Sequence, residues 1–474
     1  MTSAPSMHAP PTPPPKSAGR TTEVVLLSFA VCVVIAALLI VQGAQDVTLG
    51  VQTLKYAGAF IVLFAVAHLV IRRFAPFADP LLLPCVALLN GLGLVMIYRL
   101  DLGSSRRDEL VKADEMTHNA DQQLVWAVLG VIVFSLTLIV VRDHRTLSRY
   151  AYTLGLGGLI FLSIPMVLPA SMAEVNGSRN WIRIPGFSIQ PGEFSKIAII
   201  IFAAAFLVSR RDLFTTAGKQ FAGIDFPRLR DLGPLLAAWA IATGVLALAN
   251  DLGTPLLIFA TVLTMLYVAT SRVSWLMLGV TLFVLGATIA YQLFEHLRVR
   301  VAIWEDPFAQ YDTFGYQIAQ SLFGFATGGM FGTGLGSGRP NIVPFANTDF
   351  ILTSFAEELG LVGLAAIMMV YLLITIRGLR SAIAVRDSFG KLLAAGLSFT
   401  IIFQVFVVFG GVSKLIPLTG LTTPFLAYGG SSLLANYILL ALLIRISNAA
   451  REPDAPKQQA APVESMSTRV VRKQ

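Results

Sequence analysis

The stretch VPFANTDFILTSFAEELGLVGLAAIMMVYLLITI, residues 343–376, leads from a short polar loop into a long, mostly apolar run. The run can cross a bilayer as a helix, because about twenty apolar residues span the hydrocarbon core. Asp349 lies at the boundary, and Glu357 and Glu358 follow about two helical turns later. Acids are costly here, so ionisable groups in a membrane span are functional candidates by default.

The rest of the chain has the same apolar character. Of its 474 residues, 55% are hydrophobic and 13% are charged, whereas soluble domains carry about 25% charged residues. Backbone groups in lipid must be satisfied within the spanning segment, which favours helices. The sequence therefore predicts an all-α polytopic membrane protein with about 12 transmembrane helices and a large structured extracellular loop. The predicted spans lie near 24–42, 54–71, 79–98, 122–141, 151–169, 195–209, 232–249, 254–270, 274–294, 350–376, 392–410 and 424–446.

The placement of Lys and Arg predicts the orientation, because cytoplasmic loops carry an excess of these residues. With the N-terminus inside, most Lys and Arg fall on the inner side, and each short inner loop carries at least one Arg. Both termini are then cytoplasmic. The net charge of +8 follows this topology and does not indicate a nucleic-acid partner. Residues 1–22 and 447–474 are polar and predicted to be disordered.

Three segments on the predicted outer side stand apart, at 170–194, 250–253 and 295–349. The last is far too long for a simple helix connection, and loops of this length are usually functional or disordered. It is rich in Trp, Tyr, Phe and Gly, a composition that disfavours disorder. An ordered loop of this kind indicates a site that opens outward.

Asp349 has two interpretations that its spacing does not separate. As a good N-cap type ahead of an apolar run, it could cap the helix that follows. As an acid at a membrane boundary, it is a candidate for catalysis. Glu357 lies eight residues on, about 12 Å along the helix, so the two acids can line one cavity. Glu358 points elsewhere, towards a neighbouring helix.

A second cluster lies in NGSRNWIRIPGFSIQPGEFSK, residues 176–196. Glu193 and Lys196 are spaced i, i+3 at a helix start and can face each other. One interpretation is an interfacial loop anchored by Trp181, with a helix-entry ion pair. The other is a cationic cradle for an anionic headgroup, to which Arg179 and Lys196 would contribute.

The segment ANDLGTP, residues 249–255, joins two spans with almost no loop. Asp251 either caps the second helix or is exposed in a cavity where both helices stop early.

The large loop contains two further patterns. IAQSLFGFA resembles a short amphipathic helix on the membrane surface. GTGLGSG lacks the Lys-Ser/Thr of a nucleotide-binding loop and follows no strand, so it predicts a tight re-entrant turn.

The histidines and the two cysteines are scattered, without metal-ligand spacing. The last outer loop, 413–432, carries Lys414 as its only charge and favours a structured turn.

Taken in order, these segments resemble the SEDS family (shape, elongation, division and sporulation). The resemblance covers 79–446 and leaves 23–78 as two additional N-terminal helices, which is similar to the elongation-type members of actinobacteria. The PLTG of the last loop, with Thr419 where division-type members often have Lys, also favours the elongation type over its division-type alternative. The matching segments are WIRIPGFSIQPGEFSK, DLGT, WEDPF, GYQIAQSL, GTGLGSG, VPFANTDFI, EELG and PLTGLTTPFLAYGGSS.

The resemblance implies a peptidoglycan glycosyltransferase of the plasma membrane. Its substrate would be lipid II, and its partners a class B penicillin-binding protein transpeptidase, the elongation machinery and membrane lipids. The family's essential aspartate falls on Asp349, the candidate general base. The candidate substrate-contacting residues in the matching outer motifs are Arg179, Trp181, Glu193, Lys196, Asp251, Trp304, Tyr316, Gln317, Gln320, Ser321, Arg339, Glu357 and Lys414.

The sequence departs from the family pattern at a few positions. Asn180 stands where the family often has Arg directly before Trp, which leaves the role of Arg179 open. Asn347 replaces a frequent His, so a His–Asp relay is absent. Gly192 and Ala427 are further replacements, and none of the four changes the candidate acid.

Departure of a pyrophosphate needs positive charge, and the sequence leaves its source open. The predicted outer cations are Arg179, Arg183, Lys196, Arg298, Arg300 and Arg339. A divalent cation, Mg²⁺ or Mn²⁺, bound by Asp349, Asp251 and Glu357 is the other possibility. Two rival functions also remain open, a lipid II flippase and a non-catalytic membrane scaffold for a transpeptidase.

Overall fold

The computed structural model describes most of the chain with side chains. The described residues are 19–48, 50–108, 118–175, 177–184, 187–211, 219–221, 224–226, 240, 244, 251 and 253–453.

The described residues form α-helices joined by loops, with two short β-hairpins. The helices are α1 (Arg20–Ala44), α2 (Val51–Phe74), α3 (Leu82–Asp108), α4 (Asn119–Val140), α5 (Thr146–Arg149), α6 (Ala151–Val167), α7 (Ala170–Ala173), α8 (Pro191–Ser209), α9 (Gly253–Thr270), α10 (Val273–Leu293), α11 (Glu295–Glu305), α12 (Tyr316–Gly328), α13 (Ile351–Ala384), α14 (Ser388–Val412) and α15 (Gly430–Arg451). The strands are β1 (Ile182–Ile184), β2 (Phe187–Ile189), β3 (Lys219–Phe221) and β4 (Ile224–Phe226), and a 3₁₀ turn covers Pro340–Ile342.

Within the described residues, 10 helices are long and apolar enough to cross a membrane. They confirm the predicted all-α, multi-pass architecture. The predicted span at 151–169 is the shorter apolar helix α6. The predicted span at 232–249 lies outside the described residues, apart from positions 240 and 244. Of the predicted disordered tails at 1–22 and 447–474, residues 1–18 and 454–474 also lie outside them. The inner bounds of both tails are corrected, because α1 begins at Arg20 and α15 continues to Arg451.

Both hairpins are antiparallel and lie in loops. In β1 and β2, Ile182 pairs with Ile189, and in β3 and β4, Lys219 pairs with Phe226. These three-residue strands were not predicted, because each is too short to show an alternating pattern.

The helices differ in how deeply they lie in the bundle. Of the most apolar 18-residue segment of each helix, 89% is buried inside the bundle in α3 and only 17% in α10. Helix α13 packs chiefly on α14, α4 on α15, and α1 on α3. Helix α3 is therefore central, and α10 lies at the periphery.

The last loop, 413–429, folds back into the bundle, where its carbonyls find side-chain donors. Tyr371 of α13 donates to Pro424 O, Asn90 of α3 to Phe425 O, and Gln404 of α14 to Thr422 O. Irregular backbone is tolerated at membrane depth when protein groups satisfy it. The polar residues buried in these helices thus hold the loop in place.

Candidate active site

Asp349 lies in the loop immediately before α13, and it does not cap that helix. The N-cap position is Phe350, with no side-chain cap hydrogen bond. Within the described residues, the Asp349 carboxylate accepts no hydrogen bond, and its side chain is partly exposed. A capping carboxylate would accept an N–H of the first helical turn. The capping interpretation is therefore wrong, and the acid remains available to a ligand.

Two charged residues from distant parts of the chain act on Asp349. Burial raises the pKa of Asp349 to about 6, the Arg300 guanidinium opposes this rise, and the Asp251 carboxylate adds to it. A carboxylate with a pKa near the working pH combines basicity with a usable deprotonated fraction. The structure thus places one cation and one further acid within electrostatic reach of the candidate base.

Asp251 is buried and hydrogen-bonded. Its carboxylate accepts Thr254 N–H at 3.2 Å and the Thr254 hydroxyl at 2.9 Å, and Asn180 Nδ2 lies at 3.5 Å. This geometry confirms the capping interpretation for α9. Burial raises the pKa of Asp251 and the hydrogen bonds from Thr254 oppose the rise. Asn180, which stands where the family often has Arg, therefore contacts Asp251. The neighbouring Arg179 contacts Glu174 instead.

Arg300 joins α11 to the last loop. Its Nη1 donates to Leu418 O at 2.9 Å, and Trp304, one turn further on, donates from Nε1 to Lys414 O at 3.1 Å. Burial lowers the pKa of Arg300, and the charges of Asp251 and Asp349 oppose this. In the sequence, Arg300 was one of six predicted outer cations and was not singled out. Its i, i+4 spacing from Trp304 was the local signal that could have selected it.

Glu357 lies against the glycine-rich segment that precedes it in the sequence, and its placement in one cavity with Asp349 stays a prediction. It is buried, and its Oε1 accepts the Arg339 N–H at 2.6 Å. Arg339 therefore contributes its backbone to this contact, and its side chain is exposed. Helical periodicity predicts that Asp349 and Glu357 face the same side of the helix. In the structure, Arg339 and Gly338 lie directly beside the Glu357 carboxylate.

We call residues 329–339 the glycine loop. It packs against a kink in α13 at Gly360, where φ is 67° and ψ is −172°. Gly332, Gly334 and Gly336 also have positive φ, which glycine adopts without steric cost. These torsions confirm the predicted tight turn.

Backbone hydrogen bonds join the glycine loop to the kink. Thr333 N–H and Gly334 N–H donate to the carbonyls of Glu357 and Glu358, each at 3.0 Å, and Leu361 N–H donates to Gly329 O at 3.0 Å. The glycine loop thus replaces helix hydrogen bonds that the kink breaks. It fixes the half-helix 351–359, whose first residue follows Asp349 by two positions.

Glu193 and Lys196 form the predicted ion pair, at 2.6 Å. Both residues are buried, and Lys196 Nζ also donates to Gln404 Oε1 at 3.0 Å. This pair belongs to the packing between α8 and α14, so a headgroup cradle at Lys196 is not what the structure shows.

Arg179 lies apart from this pair and contacts Glu174 at 3.6 Å, with both side chains about 40% exposed. Trp181, two residues further on, is partly exposed, and its backbone N–H donates to Ala173 O at 3.3 Å.

The predicted residues of α12 lie on two faces of the helix. Ser321 is buried, contacts the Thr353 hydroxyl at 2.6 Å and donates to Val412 O at 2.8 Å. Gln320 donates to the Tyr311 hydroxyl at 2.9 Å. The helix is therefore wedged between α13 and α14 as well as amphipathic, which corrects the surface-only prediction.

The outer face of α12 begins with Tyr316, whose ring packs edge-on against Tyr311. Gln317 is partly exposed beside it. Lys414, on the last loop, is also partly exposed and has a positive φ of 63°.

The three acids suggested as ligands for a divalent cation do not converge on one point. Within the described residues, no group of three or more His, Cys, Asp or Glu could hold a metal ion. Glu357, the third suggested ligand, already accepts a backbone N–H. Arg300 is therefore the positive charge that the described structure places near Asp349.

Comparison with known proteins places this arrangement in a family. The family of cell cycle proteins named for FtsW, RodA and SpoVE matches residues 79–452. The chain belongs to this family, which confirms the expected SEDS membership.

Curated relatives of both the elongation and the division type are similar to the chain. Peptidoglycan glycosyltransferase RodA of Mycobacterium tuberculosis (strain ATCC 25618 / H37Rv) is 56% identical over 461 residues, 97% of each chain. A probable peptidoglycan glycosyltransferase FtsW of Geobacter sp. (strain M18) is 34% identical over 381 residues, 79% of this chain and 97% of the relative. The preference for the elongation type is thus confirmed.

Solved structures share the fold. A chain from "Structural coordination of polymerization and crosslinking by a peptidoglycan synthase complex" matches with a TM-score of 0.63 at 26% identity, covering 79% of this chain and 99% of that chain. A mutant of the Thermus thermophilus rod shape determining protein RodA matches with a TM-score of 0.54 at 24% identity, covering 80% and 99%. The second match supports the fold alone.

Proposed function

We propose that this chain is a peptidoglycan glycosyltransferase that polymerises lipid II into glycan strands during cell elongation, with Asp349 as the general base. The proposal rests on the hydrogen bonding and the pKa of the Asp349 carboxylate. Its carboxylate accepts no hydrogen bond within the described residues, and its pKa is about 6. The family membership and the mycobacterial relatives support the substrate class.

The reaction makes one bond and breaks another. A hydroxyl of the acceptor sugar gives its proton to the Asp349 carboxylate as its oxygen bonds to the anomeric carbon of the donor. The bond between that carbon and the pyrophosphate oxygen breaks, and the lipid-linked pyrophosphate leaves with the electron pair. Positive charge stabilises the leaving oxygen, and Arg300 is the cation that acts electrostatically on Asp349.

The setting of the reaction follows from the membrane architecture. We place Asp349 on the outer side of the plasma membrane and both termini in the cytoplasm, because this orientation puts most Lys and Arg inside. The partner is a class B penicillin-binding protein transpeptidase, which the similarity to a chain of a peptidoglycan synthase complex supports.

The test is polymerisation of labelled lipid II in detergent, with and without the transpeptidase. Detergent abolishes the two sides of the membrane, so transport cannot register as polymer. Wild type should form polymer, and Asp349→Asn should form it at least about 100-fold more slowly. The matched control is Asp312→Asn, which removes an exposed acid of the same loop and should retain the wild-type rate.

Two outcomes would contradict the proposal. Absence of polymer from wild type with its transpeptidase present would remove the enzymatic function. Lipid II scrambling in vesicles that persists in Asp349→Asn, together with absent polymerisation, would favour a flippase.

A further inference from the structure

The two helices that precede the family match contact the glycine loop. The match begins at residue 79, whereas α1 and α2 span Arg20–Ala44 and Val51–Phe74. Gln45, directly after α1, is buried, and its Nε2 donates to Gly336 O. An additional pair of helices thus reaches the loop that packs against the half-helix following Asp349.

The contact between α1 and the glycine loop is close as well as polar. A Cβ added to Gly336 would lie 2.8 Å from Ala44 Cβ and 3.2 Å from Val41 Cα. Real Cβ atoms essentially never approach other heavy atoms to less than 3.0 Å. The backbone of the glycine loop therefore lies directly on the end of α1, and only glycine fits there.

The Gly336 residue links α1 to α13. Its carbonyl accepts the Gln45 amide, and its N–H donates to Glu358 Oε2 at 2.9 Å. Glu358 is also held by Arg99 of α3, whose Nε donates to Oε1 at 3.0 Å. A short path of direct contacts thus runs from Gln45 through Gly336 to Glu358.

Glu358 belongs to the half-helix 351–359, which lies between Asp349 and the kink at Gly360. Helix α12 approaches the same half-helix closely: a Cβ added to Gly328 of α12 would lie only 2.0 Å from Ala356 O. The half-helix is therefore held by α12 on one side and by the glycine loop on the other. Asp349 precedes the first residue of this half-helix by two positions.

We infer that Gln45 is a positioning residue, through which the α1–α2 hairpin holds the glycine loop and sets the placement of Asp349. The inference rests on the proposed function for its catalytic readout only. The hairpin is itself anchored independently of Gln45, since Lys55 and Tyr56 of α2 contact Asp121 of α4 at 2.6 and 2.7 Å.

The test replaces Gln45 with Met, which has a similar length but no amide donor. The matched control is Gln42→Met in the last turn of the same helix. Gln42 is also buried, but its amide contacts Tyr98 and Thr53 and not the glycine loop. Hydrogen–deuterium exchange of residues 329–342 and lipid II polymerisation by the full-length protein are both measured.

We expect Gln45→Met to speed exchange in residues 329–342 by about three- to tenfold relative to Gln42→Met, the effect of losing one buried hydrogen bond. We expect kcat to fall by a similar factor with little change in KM, because positioning affects the transition state more than ground-state binding. If Gln45→Met does not accumulate, Gln45→Asn, whose amide is one methylene shorter, replaces it.

Equal exchange in the two variants overturns the inference, whatever their activities. Faster exchange with unchanged kcat also overturns it, because the hairpin would then hold the loop without positioning Asp349. Wild type that makes no polymer refutes the proposed function instead, and the exchange comparison still decides whether Gln45 holds the loop.

Discussion

Asp349 and Glu358 are acids at opposite ends of the half-helix 351–359, and their surroundings differ sharply. Glu358 is fully buried and accepts hydrogen bonds from Arg99 and Gly336. Asp349 is partly exposed and accepts none within the described residues. Both are acids near the start of α13, but within the described residues only Glu358 accepts hydrogen bonds.

This is the difference expected between a structural acid and the proposed general base. A buried carboxylate without partners destabilises the fold, so structural acids are paired. An acid that must take a proton from a substrate cannot have its lone pairs occupied. Glu358, which accepts two hydrogen bonds, therefore contributes to holding the half-helix. Asp349 meets this requirement of the proposed general base, because it accepts no hydrogen bond within the described residues.

The largest expected effect is on catalysis at Asp349. Asp349→Asn should lower the polymerisation rate by about 10²–10⁴-fold, the usual contribution of a general base. The thermal midpoint in detergent should not fall, because the mutation breaks no hydrogen bond of the described structure. Lost activity accompanied by unfolding would show that Asp349, like Glu358, is structural.

The second effect is on stability at Glu358. Glu358→Ala leaves the Arg99 guanidinium buried without its carboxylate, and breaking a buried pair in this way costs about 3–5 kcal/mol. We expect a clear fall in Tm by circular dichroism, whereas the exposed control Glu305→Ala should unfold at the wild-type temperature. Equal midpoints would mean that the glycine loop holds the half-helix without Glu358.

The third effect concerns the kink that separates Glu358 from the rest of α13. Gly360→Ala forces a side chain into φ 67° and places its Cβ 2.3 Å from Gly332 N. Such strain costs about 1–3 kcal/mol, so Tm should fall. Gly286→Ala, where no atom lies within 4 Å of the added Cβ, is the control. An unchanged midpoint in Gly360→Ala would show that the kink is not needed.

A smaller effect is on the pH profile. With the pKa of Asp349 at about 6, kcat/KM should fall about tenfold per pH unit below that value, because the protonated acid cannot act as a base. Asp251→Asn removes a like charge and should shift this limb to lower pH, whereas Arg300→Gln removes the opposing cation and should shift it to higher pH. Shifts in the same direction for both variants would contradict the electrostatic arrangement.

The smallest effect is the pH dependence of stability. The pKa of Asp349 is raised from 3.8 to about 6, so its contribution to stability is present below 3.8 and is lost as pH rises through 6. The Tm advantage of Asp349→Asn should therefore grow between pH 4 and about pH 7 and then level off. If the Tm difference between Asp349→Asn and wild type instead shrank between pH 4 and about pH 7, the pKa of Asp349 would be lowered in the folded protein and not raised.

Much of the fold follows from local pattern. Apolar runs of the right length place the helices, because lipid leaves few alternatives to an α-helix. The Glu193–Lys196 pair was also predictable, since i, i+3 residues face each other on any helix. Its burial against Gln404 was not, because that contact depends on how α8 packs on α14.

The candidate site was predictable only in part. Asp349 follows from its position and its motif, but spacing also suggested Glu357 as a companion. In the structure, Glu357 accepts the Arg339 N–H of the glycine loop, a contact that the spacing did not indicate. Periodicity along one helix describes which side a residue faces and does not describe what packs there.

By itself, the sequence determined that this is a multi-pass membrane protein of the SEDS family and that Asp349 is its principal candidate acid. Composition, the length of the apolar runs and the order of the motifs can all be read from the sequence without any knowledge of how the helices pack. Only the tertiary structure decided that Arg300 and Asp251 act on Asp349, that Glu357 and Glu358 hold the glycine loop, and that Gln45 reaches Gly336. These contacts join segments far apart in the chain, and helix packing alone brings them together.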